Sequence, residues 1–203
     1  MLLTKETRIG PQHHGRKMSL RKYEFVKIDP GYQYELARGY IVVSETPNYP
    51  HSRVVLLLNR ALFRYDATHV GVIDAIYGGN DSKLLSSEWE SERHPDISVY
   101  LDKATGPKNR TLWRRWIPEL VIEVVSEGSR DRDYTEKRDE YWTIGVKEYW
   151  IVDAKLKQVL VLTRGRSQWK ETTLTPKDSC ETKLLPGFKL SCKAIFDAAG
   201  DEE

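Results

Sequence analysis

Glu123 stands in the middle of an otherwise apolar run, Leu120-Val121-Ile122-Glu123-Val124-Val125. A run this short and this rich in valine and isoleucine reads as a strand buried on both faces of a sheet. An ionised carboxylate in such a place costs several kcal/mol unless a cation compensates it. A strand that keeps its acid there points to a metal ion, a lysine, or both. The strand alone equally allows a plainer arrangement, a carboxylate at an open strand end paired with an arginine.

Two further segments supply partners. His94-Pro95-Asp96-Ile97-Ser98-Val99-Tyr100-Leu101 opens on a turn-prone proline and continues as an alternating strand. Ile97, Val99 and Leu101 fall on one face, and Asp96, Ser98 and Tyr100 on the other. After the Glu123 strand comes a polar turn from Ser126 to Arg132, and then a helical stretch over about 133–143. Tyr134, Lys137 and Tyr141 recur there at i, i+3 and i+7 and share one face. Lys137 therefore stands within the aromatic stripe that packs on the sheet. Taken singly, it reads as a lysine that buries its stem and keeps its ammonium in water.

Taken together, the three residues supply what phosphodiester hydrolysis requires. Two carboxylates offer hard oxygen ligands to one or two Mg²⁺ ions. A metal so held lowers the pKa of bound water and neutralises charge in the transition state. A lysine beside it orients the attacking water and stabilises developing negative charge.

These segments resemble the PD-(D/E)XK nuclease superfamily and, more closely, its Uma family of bacterial restriction-endonuclease-like proteins. The resemblance is carried by Pro95-Asp96, by Glu123-Val124-Val125-Ser126, and by Asp133-x3-Lys137-x3-Tyr141-x3-Gly145-Val146 running on into Glu148-Tyr149-Trp150-Ile151-Val152-Asp153. Upstream, Tyr32, Tyr34-Glu35-Leu36, Gly39 and the segment around His51 are also similar, and Leu185-Pro186-Gly187 with Ile195-Phe196 resembles the family's close. It spans about residues 19–197. Most superfamily members place the lysine two residues after the strand acid, where this chain has Val125; the Uma branch carries it on the helix, at the position of Lys137. Glu127 stands where the family commonly has proline, and Tyr40 where an acid is usual.

The resemblance implies a mixed α/β, restriction-endonuclease-like core: a central mixed sheet flanked by helices, in the order helix, three strands, helix, strand, with extra amino- and carboxy-terminal hairpins. It implies a Mg²⁺- (or Mn²⁺-) dependent endonuclease acting on nucleic acid, with DNA as substrate. Asp96 and Glu123 would be metal ligands and Lys137 the catalytic lysine. It adds Glu35 as a third metal-side carboxylate and His51 as a histidine near the cleft. From the residues alone, Glu35 reads equally as a strand-edge charge, and His51 as a cap or packing residue. The alternative function is a catalytically weak nuclease-fold module that binds nucleic acid or protein, since one fold hosts many functions. A homodimer is an expectation of the same resemblance.

Size and composition bound these readings. At 203 residues the chain suits one domain, which we place at residues 19–203 behind a loosely ordered segment, 1–18. No apolar run approaches the ~20 residues of a transmembrane helix, and the first residues lack a signal peptide's apolar core. Cys180 and Cys192 form no disulfide framework or metal-ligand spacing, which fits a cytoplasmic setting. The net charge of +2 is too small to argue for nucleic acid by itself. Locally, Lys103, Lys108, Arg110, Arg114 and Arg115 interleave with Trp113 and Trp116. That pattern suits phosphates and splayed bases, or else a solvated loop with its tryptophans packed beneath. Arg16, Lys17, Arg21 and Lys22 form a second basic cluster.

Along the chain, Ser19 is expected to cap a helix running to about Ile28, ended by Asp29-Pro30-Gly31. Residues 32–45 read as a strand pair turning at Arg38-Gly39. Ser52 precedes a helix over 54–65, and 70–77 reads as a strand. Later strands are expected at about 148–152 and 158–163, a hairpin near 169–174 and a short helix near 194–198.

Overall fold

The computed structural model describes residues 7–200. Its central sheet has six strands: β5 (Ala75–Tyr77), β8 (Ile97–Tyr100), β9 (Leu120–Val124), β10 (Glu148–Asp153), β11 (Gln158–Arg164) and β12 (Trp169–Leu174). Their spatial order is β12-β11-β10-β9-β8-β5. β9 and β10 run parallel and the other neighbours antiparallel. A parallel pair needs a crossover, and here α3 (Lys137–Ile144) supplies it. With the helix α2 (Tyr49–Thr68) ahead of it, the core order α2, β5, β8, β9, α3, β10 is the expected helix, three strands, helix, strand.

Both faces of this sheet are covered. The helices α2 (Tyr49–Thr68) and α4 (Cys192–Ala199) pack on the face presenting Ile97, Val99, Leu120, Ile122, Val124 and Trp150. On the opposite face Val121, Tyr149, Ile151 and Leu162 meet Tyr141 of α3. Residues of β8 and β9 are buried on both sides, so the alternation read in the first of them does not separate core from solvent. Glu123 shares the α3 face with Val121, because strand side chains alternate.

A second, four-stranded sheet comprises β3 (Gln33–Ala37), β4 (Tyr40–Ser44), β6 (Leu84–Ser86) and β7 (Ser91–Arg93), in the order β4-β3-β7-β6. β3 and β4 are the strand pair expected around Arg38-Gly39. The turn holds because Arg38 and Gly39 both adopt positive φ, which glycine meets without strain. The carboxy-terminal hairpin near 169–174 is the β11–β12 pair at the sheet edge, and a further small pair joins β13 (Ser179–Glu181) to β14 (Lys189–Ser191).

Several boundaries differ from expectation. Residues 1–6 lie outside the described residues, but the segment expected to be loose is ordered beyond them. β1 (Arg8–Ile9) pairs in parallel with β2 (Lys27–Ile28), and Ile9 is fully buried beside Leu20 and Tyr23. The pairing takes Lys27-Ile28 away from helix, so α1 spans only Leu20–Tyr23. α2 begins earlier than Ser52: Asn48 caps it by accepting the His51 N–H, with Pro50 in the first turn, a favourable place for proline. The strand expected over 70–77 shrinks to Ala75–Tyr77. The stretch read as helix from 133 opens with a π-helical turn, Arg132–Glu136.

Candidate active site

The pairing of β8 with β9 sets Ile97 against Ile122, so the residue before Ile97 and the residue after Ile122 meet at the strand ends. They are Asp96 and Glu123. The Asp96 N–H donates to Glu123 Oε2 at 3.3 Å, and Asp96 Oδ2 accepts the Val124 N–H at 2.8 Å. His51 Nε2, from the first turn of α2, lies 3.1 Å from the same Oδ2. Gly78 backs this segment: a Cβ there would lie 2.1 Å from the Asp96 carbonyl oxygen. Glycine is used here for close approach of two backbones.

Lys137 reaches into the pair from α3. Its Nζ forms ion pairs with Glu123 Oε1 at 3.0 Å and with Asp133 Oδ1 at 2.8 Å. Tyr141, one turn further along, donates its hydroxyl to Glu123 Oε1 at 2.6 Å, and Ser129 Oγ donates to Asp133 Oδ2 at 2.6 Å. Lys137 does not snorkel: its side chain is 7% exposed. Asp133 and Tyr141 had no assigned role in the sequence reading. The available signal was an acid four residues before a lysine, the spacing that pairs them on a helix.

Among the described residues, Glu35 forms no direct ion pair or hydrogen bond with this trio, but its charge acts on Glu123 and Lys137 through space. Its Oε1 accepts the His94 N–H at 3.0 Å and its Oε2 meets Arg93 at 3.2 Å. Arg93 is almost wholly buried and also binds Glu140 through two nitrogens, each at 2.8 Å, and Glu136 at 2.8 Å. Arg38 adds contacts to Asp139 and Glu140. The edge-charge reading of Glu35 thus gives way to a buried ionic cluster on the flank of the Asp96–Glu123 pair.

The electrostatics of the two groups diverge. Burial opposes the Glu35 charge, yet Lys137, Arg93 and the His94 N–H outweigh it and hold the carboxyl down at about 2. Burial pushes Glu123 up to about 8, reinforced by Asp96 and Asp133, while Lys137 works against the rise. Burial also disfavours the Lys137 charge, but Asp133, Glu123 and Glu35 keep the ammonium protonated. The ammonium is closest to Asp133, so Glu123 is only partly compensated.

This has a measurable consequence in metal-free protein. The folded Glu123 carboxyl keeps its proton to about pH 8, whereas its ordinary value is 4.5. Its contribution to stability is therefore fullest below the lower value and is lost as the pH rises through the upper one. Glu123→Gln has nothing to ionise and is expected to gain on the wild type over that window, by an amount on the order of a few kcal/mol. Urea unfolding at both ends of the window checks this; equal stability differences at both pH values would refute it.

The carboxylates of this region outnumber its cations. Glu35, Asp96, Glu123, Asp133, Glu136 and Glu140 surround only Arg38, Arg93 and Lys137. Oxygen donors in net negative surroundings fit a hard divalent cation such as Mg²⁺, which is commonly bound through one or two carboxylates plus water. Asp96 and Glu123 are the donors available. Among the described residues, no group of three or more His, Cys, Asp or Glu is arranged to hold a metal. Beside the pair opens a cavity of about 550 Å³ bordered by His51, Val124, Ser126 and Arg130. Arg130 also pairs with Asp153, the basic partner that the sequence did not disclose for that acid.

The family model described as "Putative restriction endonuclease", Uma2, matches residues 20–193. The chain belongs to this family. It is also similar in structure to a crystal structure titled a putative nuclease belonging to DUF820, from Anabaena variabilis ATCC 29413. That likeness has a TM-score of 0.72 at 14% identity and covers 90% of this chain and 99% of the other, which speaks to the fold. No curated protein matches the chain. Membership of the Uma2 family agrees with the resemblance drawn from Pro95-Asp96 and the run from Glu123 to Asp153.

In and beside the 103–115 stretch of the Uma2 chain the tryptophans are half-buried and packed on other rings. Trp113 and Trp116 pack against Tyr77, and Trp116 against Tyr100. Arg114 is tied to Glu24 at 2.5 Å and to Ser87. No helix of the described residues is long and apolar enough to cross a membrane.

Proposed function

We propose that this Uma2 protein is a divalent-metal-dependent endonuclease that hydrolyses phosphodiester bonds in DNA. The supporting observation is the convergence of Asp96 and Lys137 on Glu123: the Asp96 N–H donates to one Glu123 oxygen at 3.3 Å and the Lys137 ammonium lies 3.0 Å from the other. Asp96 and Glu123 would hold Mg²⁺ or Mn²⁺. Such an ion, when bound, activates water and offsets charge on the phosphoryl oxygens. Lys137 places a fixed positive charge beside Glu123, where an attacking water is oriented and developing negative charge is stabilised. Tyr141 and Asp133 fix the acid and the lysine respectively. His51 steadies the Asp96 carboxylate, and Glu35 fixes Arg93 on the site's flank.

A second reading, a nuclease-fold module that binds nucleic acid without cutting it, is favoured by the lack of a three-residue metal cluster among the described residues. One comparison separates the two. Titration calorimetry with Mg²⁺ and Mn²⁺, beside cleavage of plasmid DNA, is expected to show metal binding and cutting by the wild type. Asp96→Asn is expected to weaken metal binding at least tenfold with the fold unchanged, because the outer-lying carboxylate of the pair loses its charge. DNA affinity without metal binding or cutting would leave the binding module standing.

A further inference from the structure

The strongest unabsorbed feature is the outer face of α2. Tyr49, Leu56 and Phe63 recur every seven residues and are 73%, 39% and 54% exposed. A seven-residue repeat keeps them on nearly one line, so they form a stripe rather than scattered surface apolars, which would need no explanation. Arg53, Arg60 and Arg64 lie along one flank of the stripe and are exposed. Among the described residues none of the three has an acidic partner, and the contact recorded for Arg53 is with the Tyr49 ring, at 5.9 Å. The helix carries a single acid, Asp66, half-buried on the other flank. By contrast, the arginine of the 103–115 stretch discussed above is already paired.

We propose that this face of α2 binds an unpaired nucleic-acid strand, with the arginines on its phosphates and Tyr49 and Phe63 on its bases. The inference rests on the nuclease reading and adds to it the surface that holds the substrate. Three uncompensated cations over ~16 Å of helix, at 1.5 Å per residue, suit a polyanion better than a neutral partner. Aromatic side chains beside such a line are the elements of sequence-tolerant single-strand binding. A second copy of this chain suits the stripe less well: symmetric antiparallel pairing would bring the arginine flanks of both copies together on one side. The first turn of the same helix presents His51 to Asp96 from its opposite, buried face, so the stripe and the candidate active site share one helix.

The test is metal-free binding of a fluorescent oligothymidylate over a range of NaCl concentrations. Arg53→Ala/Arg60→Ala/Arg64→Ala is expected to lower the slope of log affinity against log salt by about 2, at ~0.7 per phosphate contact on single strands. Tyr49→Ala/Phe63→Ala is expected to lower affinity about tenfold or more with the slope kept. All five positions are exposed, and circular dichroism with melting curves verifies folding. An unchanged slope in the triple variant overturns the proposal. So does sedimentation showing that the wild type self-associates and the double variant does not, with oligonucleotide binding intact. Wild-type cutting of DNA alongside either result leaves the nuclease reading untouched. Binding that follows the expected pattern without metal-dependent cutting supports the surface and removes the hydrolytic reading.

Discussion

Lys137→Met is expected to abolish metal-dependent cleavage and to lower stability by about 3–5 kcal/mol at neutral pH. The side chain is buried between Asp133 and Glu123, with its nitrogen within 3.0 Å of both. Its removal leaves Asp133 buried without a counter-charge and deprives Glu123 of the cation opposing its upward pKa shift. The lost charge is also the one proposed to orient water. Both losses are measurable together, by urea unfolding and by plasmid cutting with Mg²⁺ or Mn²⁺. Lys137→Arg serves as the companion variant: it keeps a cation for Asp133 but not the compact ammonium, so it should fold better than Lys137→Met and still cut poorly. Wild-type cutting by Lys137→Met would remove the lysine from the mechanism.

Arg93→Met is the second large effect, expected at about 3–5 kcal/mol of lost stability. Arg93 is a buried hub whose guanidinium joins Glu35 of β3 to Glu136 and Glu140 beside and on α3. Without it Glu140, itself buried, keeps only the longer contact to Arg38 at 3.5 Å. The Glu35 carboxyl also loses one of the charges that hold it near 2. Removing the fork and its acid together should cost much less than the single changes predict. A double-mutant cycle with Arg93→Met and Glu140→Leu reads that coupling directly. Additive losses would mean that the ion pairs contribute little and that Arg93 acts mainly by packing.

The contrast between these two residues shows what the chain disclosed in advance. Glu123 and Lys137 were legible because each broke a local pattern, an acid in a β-branched run and an ammonium in an aromatic stripe. Asp96 was legible through its place at the head of an adjacent strand. Arg93 and Glu140 broke no pattern, and their pairing spans 47 residues of chain, which periodicity cannot reveal. The order of core elements was readable because hydrophobic recurrence sets it. The missed boundaries were set by tertiary contacts instead: Lys27-Ile28 leaves the helical pattern because Arg8-Ile9 offers a strand to pair with. The basic stretch at 103–115 stays open between two readings in the sequence for a related reason. Sequence counts charges, but Arg114 spends its charge on Glu24, whereas Arg53, Arg60 and Arg64 are spread too thinly along α2 to look like a cluster.

The π-helical turn at Arg132–Glu136 bears on how a lysine can occupy this helix at all. Wide turns of this kind amount to one residue inserted into an α-helix, and one residue rotates everything after it by roughly 100°. Moving the ammonium to position 137 makes its direction depend on the length of the preceding turn. The contacts of Lys137 with Glu123 and Asp133 therefore depend on the width of the turn ahead of it, and deleting one residue there would swing the ammonium out of their reach.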